Sequence, residues 1–118
     1  MELAKKDRPK TLEGSTSKIG TGCGSLYVTV AGDNGFEPME VFAHLGKAGG
    51  CSNCQNEALT RVISLGLRYG VPVQEYIEAL RGIRCPNPYM VNSDKQCLSC
   101  PDGIATALEE YISEDTEG

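Results

Sequence analysis

Alternation of apolar and polar residues predicts a β-hairpin between residues 25 and 45. Ser25–Ala31 reads Ser-Leu-Tyr-Val-Thr-Val-Ala, which is rich in β-branched and aromatic residues and is typical of a strand. Asp33-Asn34-Gly35 follows, and Asn-Gly is the pair that tight hairpin turns prefer. Glu37–Leu45 is the predicted return strand, and Pro38 indicates an irregular start or an edge position. The two faces of the return strand are Met39, Val41 and Ala43, and Glu40, Phe42 and His44.

Apolar residues at intervals of three and four predict a first helix after the hairpin. It runs from about Asn53 to Tyr69, Ser52 and Gln55 have the spacing of a capping box, and Gly70 fits the residue after the helix end. Such a wide apolar face is expected to pack on the sheet as the main element of the core. The face has two rows: Ala58, Val62, Leu65 and Tyr69, and beside them Leu59, Ile63 and Leu67.

Two further helices follow. Pro72 suits the first position of the second helix and Gly82 ends it, while residues 83–96 read as a loop. The third helix runs from about Pro101 to Ile112, with Ser99 as its N-cap. The expected inner faces are Val73, Ile77 and Leu80 in the second helix, and Ile104, Leu108, Tyr111 and Ile112 in the third. These elements predict an α+β fold, in which a small antiparallel sheet built on hairpin 25–45 packs against about three helices.

A chain of 118 residues fits one domain. Residues 1–13 are polar and predict a flexible arm, residues 14–113 form the predicted domain with ordered structure from near Thr21, and residues 114–118 form an acidic tail expected to fray from Ser113 onward. The net charge of −5 makes nucleic-acid binding unlikely. No apolar run is long enough to cross a membrane and no secretory signal precedes the domain, so a cytoplasmic location is expected.

The cysteines predict a structural metal site at one end of the fold. Cys51 and Cys54 form one C-x-x-C pair, Cys97 and Cys100 form another, and Cys85 lies between them. Zinc in structural sites takes four thiolates, and helix N-termini, where both pairs are expected, favour thiolates. The candidate Zn²⁺ ligands are therefore any four of Cys51, Cys54, Cys85, Cys97 and Cys100, among which Cys51 and Cys100 are the firmest. Cys23, before the first strand, could instead reach the site from the sheet.

Other chemistries remain open at this point. A C-x-x-C pair at a helix N-terminus is also the arrangement of dithiol redox motifs, although a redox protein needs one exposed pair and not five clustered thiols. Unliganded thiols are a third possibility. His44, the single histidine, is expected on the surface, and no catalytic set of side chains stands out.

Several blocks of the sequence resemble the TSCPD domain, the C-terminal domain of adenosylcobalamin-dependent (class II) ribonucleotide reductases. They are the segment Thr21 to Val30 around Cys23, Glu40 to Cys51, Glu57 to Arg68, Gly82 to Pro88, and Leu98-Ser-Cys100-Pro-Asp-Gly-Ile-Ala105. The last block resembles the element that names the domain, with Leu98 where the family has Thr. The resemblance extends over about residues 8–112.

The resemblance implies an accessory domain. The catalytic cysteines and cobalamin contacts of those reductases belong to a barrel that this sequence lacks, so neither catalytic residues nor a cobalamin site are expected here. The implied function is a zinc-binding, non-catalytic module for deoxyribonucleotide synthesis that acts through contacts with a ribonucleotide reductase or another protein, and self-association is compatible with it. The alternative is a dithiol module that supplies electrons to a reductase.

Overall fold

The computed structural model of the protein describes residues 4–22, 24–32, 38–46, 50–86, 88–89 and 97–117. The elements along the chain are β1 (Glu13–Thr21), β2 (Gly24–Gly32), β3 (Pro38–Leu45), α1 (Gly50–Arg68), α2 (Val73–Leu80) and α3 (Cys100–Glu117). Within these ranges the strands form one antiparallel sheet in the order β1-β2-β3. The α+β prediction is confirmed for the sheet and its helices.

The predicted hairpin is formed by β2 and β3. Leu26 lies opposite Leu45 and Val30 opposite Val41, and the ladder is irregular at Ala31 and Gly32, where Gly32 meets Pro38. The two predicted faces of β3 are confirmed: Met39 and Val41 are buried and Ala43 is half-buried, Phe42 and His44 are exposed, and Glu40 is half-buried on their face. The predicted Asp33–Gly35 turn lies outside the described residues.

The prediction that ordered structure begins near Thr21 is wrong. β1 starts at Glu13 and pairs with β2 along its whole length, from Glu13 opposite Gly32 to Thr21 opposite Gly24. The backbone ladder and polar cross-strand contacts, such as the 2.7 Å bond between the Thr16 and Thr29 hydroxyls, hold this strand. Only Ile19 reaches the core, so β1 carries almost no apolar alternation that would predict it.

The helix at the centre of the core is α3, and not α1 as the sequence predicts. Its residues Ile104 and Leu108 are fully buried, and it packs on β1 and β2 while α2 packs against it. The predicted inner residues of α2 and α3 belong to this core or contact it. In α1 only the row with Ile63 and Leu67 is buried. The other predicted row faces solvent: Val62 is 64%, Leu65 50% and Tyr69 37% exposed.

α1 faces outward in this way because it runs along the free edge of β3. The Ser64 hydroxyl accepts the Val41 N–H at 3.0 Å and donates to the Val41 carbonyl at 3.1 Å. Asn53 accepts the Leu45 N–H at 2.8 Å and donates to the Leu45 carbonyl at 3.3 Å. These side chains satisfy edge groups of the sheet as a further strand would, and so they protect the edge.

The glycines after α1 and α2 end these helices as the sequence predicts. After α1, Gly70 has a φ of +98° and the N–H of Val71 donates to the Gly66 carbonyl at 3.0 Å, which is a Schellman ending. Gly82, after α2, has a φ of +87°. α1, however, begins at Gly50, three residues before the predicted Asn53, and α3 continues to Glu117, past the predicted end at Ile112 and fraying tail.

The segment before β1 contacts the end of α1 through Lys6 and contacts β3 through Arg8. The Lys6 N–H donates to the Arg68 carbonyl at 2.8 Å, and Arg8 pairs with Glu40. The division into an arm (1–13), a domain (14–113) and a tail (114–118) stays a prediction. In the described part of the chain no helix has both the length and the apolar content needed to pass through a bilayer.

Candidate functional site

The start of α3 is tied to the end of α2 by the segment Leu98–Asp102. Ser99 caps α3 as predicted, since its hydroxyl accepts the Asp102 N–H at 3.2 Å, and it also donates to the Ile83 carbonyl at 2.6 Å. The buried Asp102 carboxylate accepts the Gly82 N–H at 2.9 Å and the Leu98 N–H at 3.1 Å. These four bonds hold the first turn of α3, and with it Cys100, in one place.

The loop after α2 carries Cys85 to the same place. The Cys85 N–H donates to the Leu98 carbonyl at 3.0 Å, and Tyr89 and Cys97 exchange two backbone bonds of 2.8 Å each. The loop therefore lies alongside the segment that leads into α3. This pairing puts Cys85 near the Cys97–Cys100 pair, although it lies twelve residues before Cys97 in the sequence.

Three of the predicted cysteines line one cavity. Cys51 from the first turn of α1, Cys85 from the loop and Cys100 from the first turn of α3 face a cavity of about 580 Å³, which Pro86 and Pro101 also line. Cys51 and Cys100, the two firmest candidates from the sequence, thus share a site. The first turns of α1 and α3 both line this cavity.

Cys97, which interacts with Cys85 and Cys100, is a buried thiol. It is 4% exposed, and its thiol donates to the Ser99 carbonyl at 3.1 Å. Burial raises the pKa of the Cys97 thiol above its usual range, and the Asp102 carboxylate, Cys100 and Cys85 raise it further. Cys97 is consequently held in its protonated form.

Cys54 lies elsewhere. It is exposed, and it lines a second cavity of about 520 Å³ between α1 and β3, together with the exposed His44. Cys23 lies outside the described residues. None of the other five cysteines is in a disulfide. Among the residues that the structure describes, no three His, Cys, Asp or Glu side chains are arranged to hold a metal ion, so the metal site of the fold prediction is not formed there.

Asn56 is a site residue that the sequence did not indicate. It lines the cysteine cavity, is 4% exposed, and its side-chain Nδ2 is buried without a hydrogen-bond partner. A buried N–H without an acceptor costs about 1–3 kcal/mol, so this amide is a polar group that the described residues leave unsatisfied. The available signal was an amide side chain on the inner side of a helix, which is uncommon in cores.

Comparison with known proteins supports the resemblance seen in the sequence. The model of the TSCPD domain matches residues 2–112. Over 104 residues the chain is 32% identical to a vitamin B12-dependent ribonucleotide reductase of Agrobacterium fabrum (strain C58). The aligned part is 88% of this chain but 8% of the reductase, so the chain spans less than a tenth of that curated relative. No solved structure matches the chain.

Proposed function

The chain belongs to the TSCPD domain family, and from that premise we propose that it is a zinc-binding, non-catalytic accessory domain of ribonucleotide reduction. It acts through contacts with a reductase and contributes no reacting group of its own. The cytoplasm is the proposed location, because clustered thiols stay reduced there. The observation that carries the zinc assignment is the shared cavity of Cys51, Cys85 and Cys100.

The donor set suits zinc. Three thiols from three separate segments of the chain line one cavity at the N-termini of α1 and α3, where the helix dipoles favour thiolates. Zinc binds sulfur ligands in structural sites, and its binding free energy adds to the stability of a small domain. When bound, the zinc ion would link the segments that carry these thiols, and it would take part in no reaction.

Cys97 is the proposed fourth ligand. It lies close enough to Cys85 and Cys100 for their charges to raise its pKa, whereas Cys54 lines a different cavity. Because ligating sulfur must be deprotonated, binding of zinc would release the proton that burial retains on Cys97. The predicted ligand set is thereby reduced to Cys51, Cys85, Cys97 and Cys100.

Asn56 is the proposed positioning residue of this site. A metal-bound thiolate is a hydrogen-bond acceptor, and Asn56, whose Nδ2 is a buried donor, is one of the residues that line the same cavity. Such a bond would orient the sulfur and satisfy the amide at once.

Metal analysis of cysteine variants tests the proposal. The protein is purified under reducing conditions without chelator, and zinc is measured per chain with its affinity by competition. We expect about one zinc in the wild type and a loss of at least about 100-fold in affinity for Cys51→Ser, Cys85→Ser, Cys97→Ser and Cys100→Ser. Cys54→Ser is the matched control, since it removes a thiol of the same C-x-x-C pair that lies outside the cavity, and it should keep its zinc.

Two results would overturn the assignment. One is a wild-type protein that stays folded and free of zinc in zinc-supplemented medium. The other is rapid, reversible formation of a Cys97–Cys100 disulfide in the wild type, together with loss of electron transfer to a reductase when Cys100 is replaced by Ser. That result would establish the dithiol electron donor instead.

A further inference from the structure

The outward side of α1 carries an apolar seam, which we define as Ala58, Val62, Leu65 and Tyr69. Val62 and Leu65 are 64% and 50% exposed, and Ala58 is exposed as well. The spacing of four, three and four residues is that of the seam by which one helix packs along another. α1 therefore has one face on β3 and the core, and a second helix-packing face that is open to solvent.

The seam is part of a larger apolar surface. Phe42 of β3 is 55% exposed, and between Phe42 and Leu65 lies a depression of about 330 Å³. Single exposed apolar side chains are ordinary on a protein surface, but a contiguous stripe that ends in a depression marks an interaction site.

Positive charge flanks the seam on one side. Arg61, Arg68 and Lys5 line the depression next to Leu65. Arg61 pairs with Glu57 at 3.2 Å, whereas the guanidinium of Arg68 donates to the Lys6 carbonyl oxygen at 2.9 Å, an acceptor without formal charge. Glu40 and Glu57 also line the depression, and each pairs with an arginine, Glu40 with Arg8 and Glu57 with Arg61. Although the chain has a net charge of −5, the depression therefore carries three positive side chains against two negative ones. A complementary partner must therefore present carboxylates beside its apolar residues.

A second copy of α1 does not meet that requirement. In an antiparallel pair the same flank of both helices comes together, so Arg61 and Arg68 would face the same two arginines of the other copy. In a parallel pair the flank with Arg61 and Arg68 would face the other flank of the second copy's helix. That flank carries Leu59 and Gly66 and no charged residue. The chain's own helix therefore supplies on this flank one carboxylate, Glu57, against two arginines, and Glu57 already pairs with Arg61 of its own helix.

We propose that the seam of α1 binds an amphipathic helix of a partner protein whose apolar stripe is flanked by Asp and Glu residues. The partner's apolar side chains cover Val62 and Leu65, one of them enters the depression beside Phe42, and its carboxylates pair with Arg61 and Arg68. The inference rests on the proposed function only in that the domain acts through protein contacts, and it does not depend on zinc.

The probe for this surface is a labelled synthetic peptide of three heptads. In each heptad, Leu occupies the two apolar positions that would face the seam, and Glu occupies the two positions that flank them. Its twin has Lys at the flanking positions. Binding to the full chain is measured by fluorescence anisotropy at low salt. We expect saturable binding of the Glu peptide and at least about tenfold weaker binding of the Lys peptide. Leu65→Glu and Val62→Glu should weaken binding of the Glu peptide by at least about tenfold.

The control variant is Ile83→Glu, which alters an exposed apolar residue away from α1 and should leave binding unchanged. A double variant, Arg61→Glu with Arg68→Glu, should reverse the preference between the two peptides. Thermal unfolding of each variant confirms that it is folded. The assay is repeated with and without zinc, so that a failure to bind zinc is distinguished from a failure to bind the peptide at the seam.

Three outcomes would overturn the proposal: no saturable binding of the Glu peptide, equal affinity for both peptides, or a wild-type dimer in sedimentation that Leu65→Glu converts to a monomer. In the last case a second copy of this chain covers the seam.

Discussion

At the scale of single residues, Ser99 and Asp102 explain why the Ser-Cys-Pro-Asp segment is shaped as it is. Ser99 both caps α3 and donates to the Ile83 carbonyl, and Asp102 joins backbone groups from two other segments. Cys100 lies between them and faces the cavity. The polar residues of the segment thus hold the frame in which the thiol is presented.

Replacing Asp102 by Asn tests this role. The amide has the same shape, but one of its ends is a donor that would face a backbone N–H, so one buried bond is lost and the charge assistance of the other disappears. We expect the free energy of unfolding to fall by about 2–4 kcal/mol in urea denaturation. Glu110→Gln, an exposed change in the same helix, should stay within about 0.5 kcal/mol of the wild type. Equal stability of the two variants would contradict the structural role of Asp102.

The buried Cys97 thiol makes a prediction about pH. Its pKa is raised in the folded protein, so the unfolded chain loses this proton first as the pH rises. The stability that the protonated Cys97 thiol contributes is therefore complete below the thiol pKa of the unfolded chain, about 8.5. It is lost as the pH rises through the raised pKa of the folded protein. In metal-free, reduced protein, the stability difference between wild type and Cys97→Ala should shrink from about pH 8 to pH 10.

Urea denaturation at several pH values measures that difference. Cys54→Ala is the comparison variant, because it removes an exposed thiol outside the cavity. Parallel stability curves for wild type and Cys97→Ala across this range would show that burial does not hold the Cys97 proton.

At the scale of elements, α1 is defined by what it does to the sheet. Asn53 and Ser64, eleven positions apart on the helix, bond to Leu45 and Val41 on the edge of β3. Gly66 serves the next contact, because a Cβ at this position would overlap the Tyr76 hydroxyl of α2. The polar residues Asn53 and Ser64 and the small residue Gly66 therefore join α1 to β3 and α2, whereas the apolar row with Val62 and Leu65 faces solvent.

Ser64→Ala should remove both bonds to Val41 and leave the edge N–H and carbonyl without partners. We expect a loss of about 1–3 kcal/mol in the free energy of unfolding and faster amide exchange at Val41. Ser113→Ala, on the exposed side of α3, provides the matched control and should be nearly neutral. Unchanged exchange at Val41 would mean that Ser64 does not cover the edge.

At the scale of the whole molecule, one helix serves three surfaces. The first turn of α1 carries Cys51, and Asn56, further along the helix, lines the same cavity. The inner face of α1 covers β3, and the outer face of α1 carries the seam. Metal and partner would thus act on one rigid element from different sides.

The sequence by itself determined the elements whose signals are local. The β2–β3 alternation, the Ser99 cap and the glycine endings of α1 and α2 depend on residues within a few positions of one another, and each is confirmed. Membership of the family followed from contiguous blocks in the same way.

Only the tertiary structure decided what depends on distant segments. β1 is held by its pairing with β2 and carries almost no pattern of its own. α1 has two apolar rows, and contact with the β3 edge selected which of them is buried. Likewise, C-x-x-C spacing treats Cys54 as the equal of Cys51, but the packing of α1 against the loop and α3 leaves Cys54 outside the cavity. Spacing records distance along the chain, whereas burial and a shared site are properties of segments that meet only in the folded molecule.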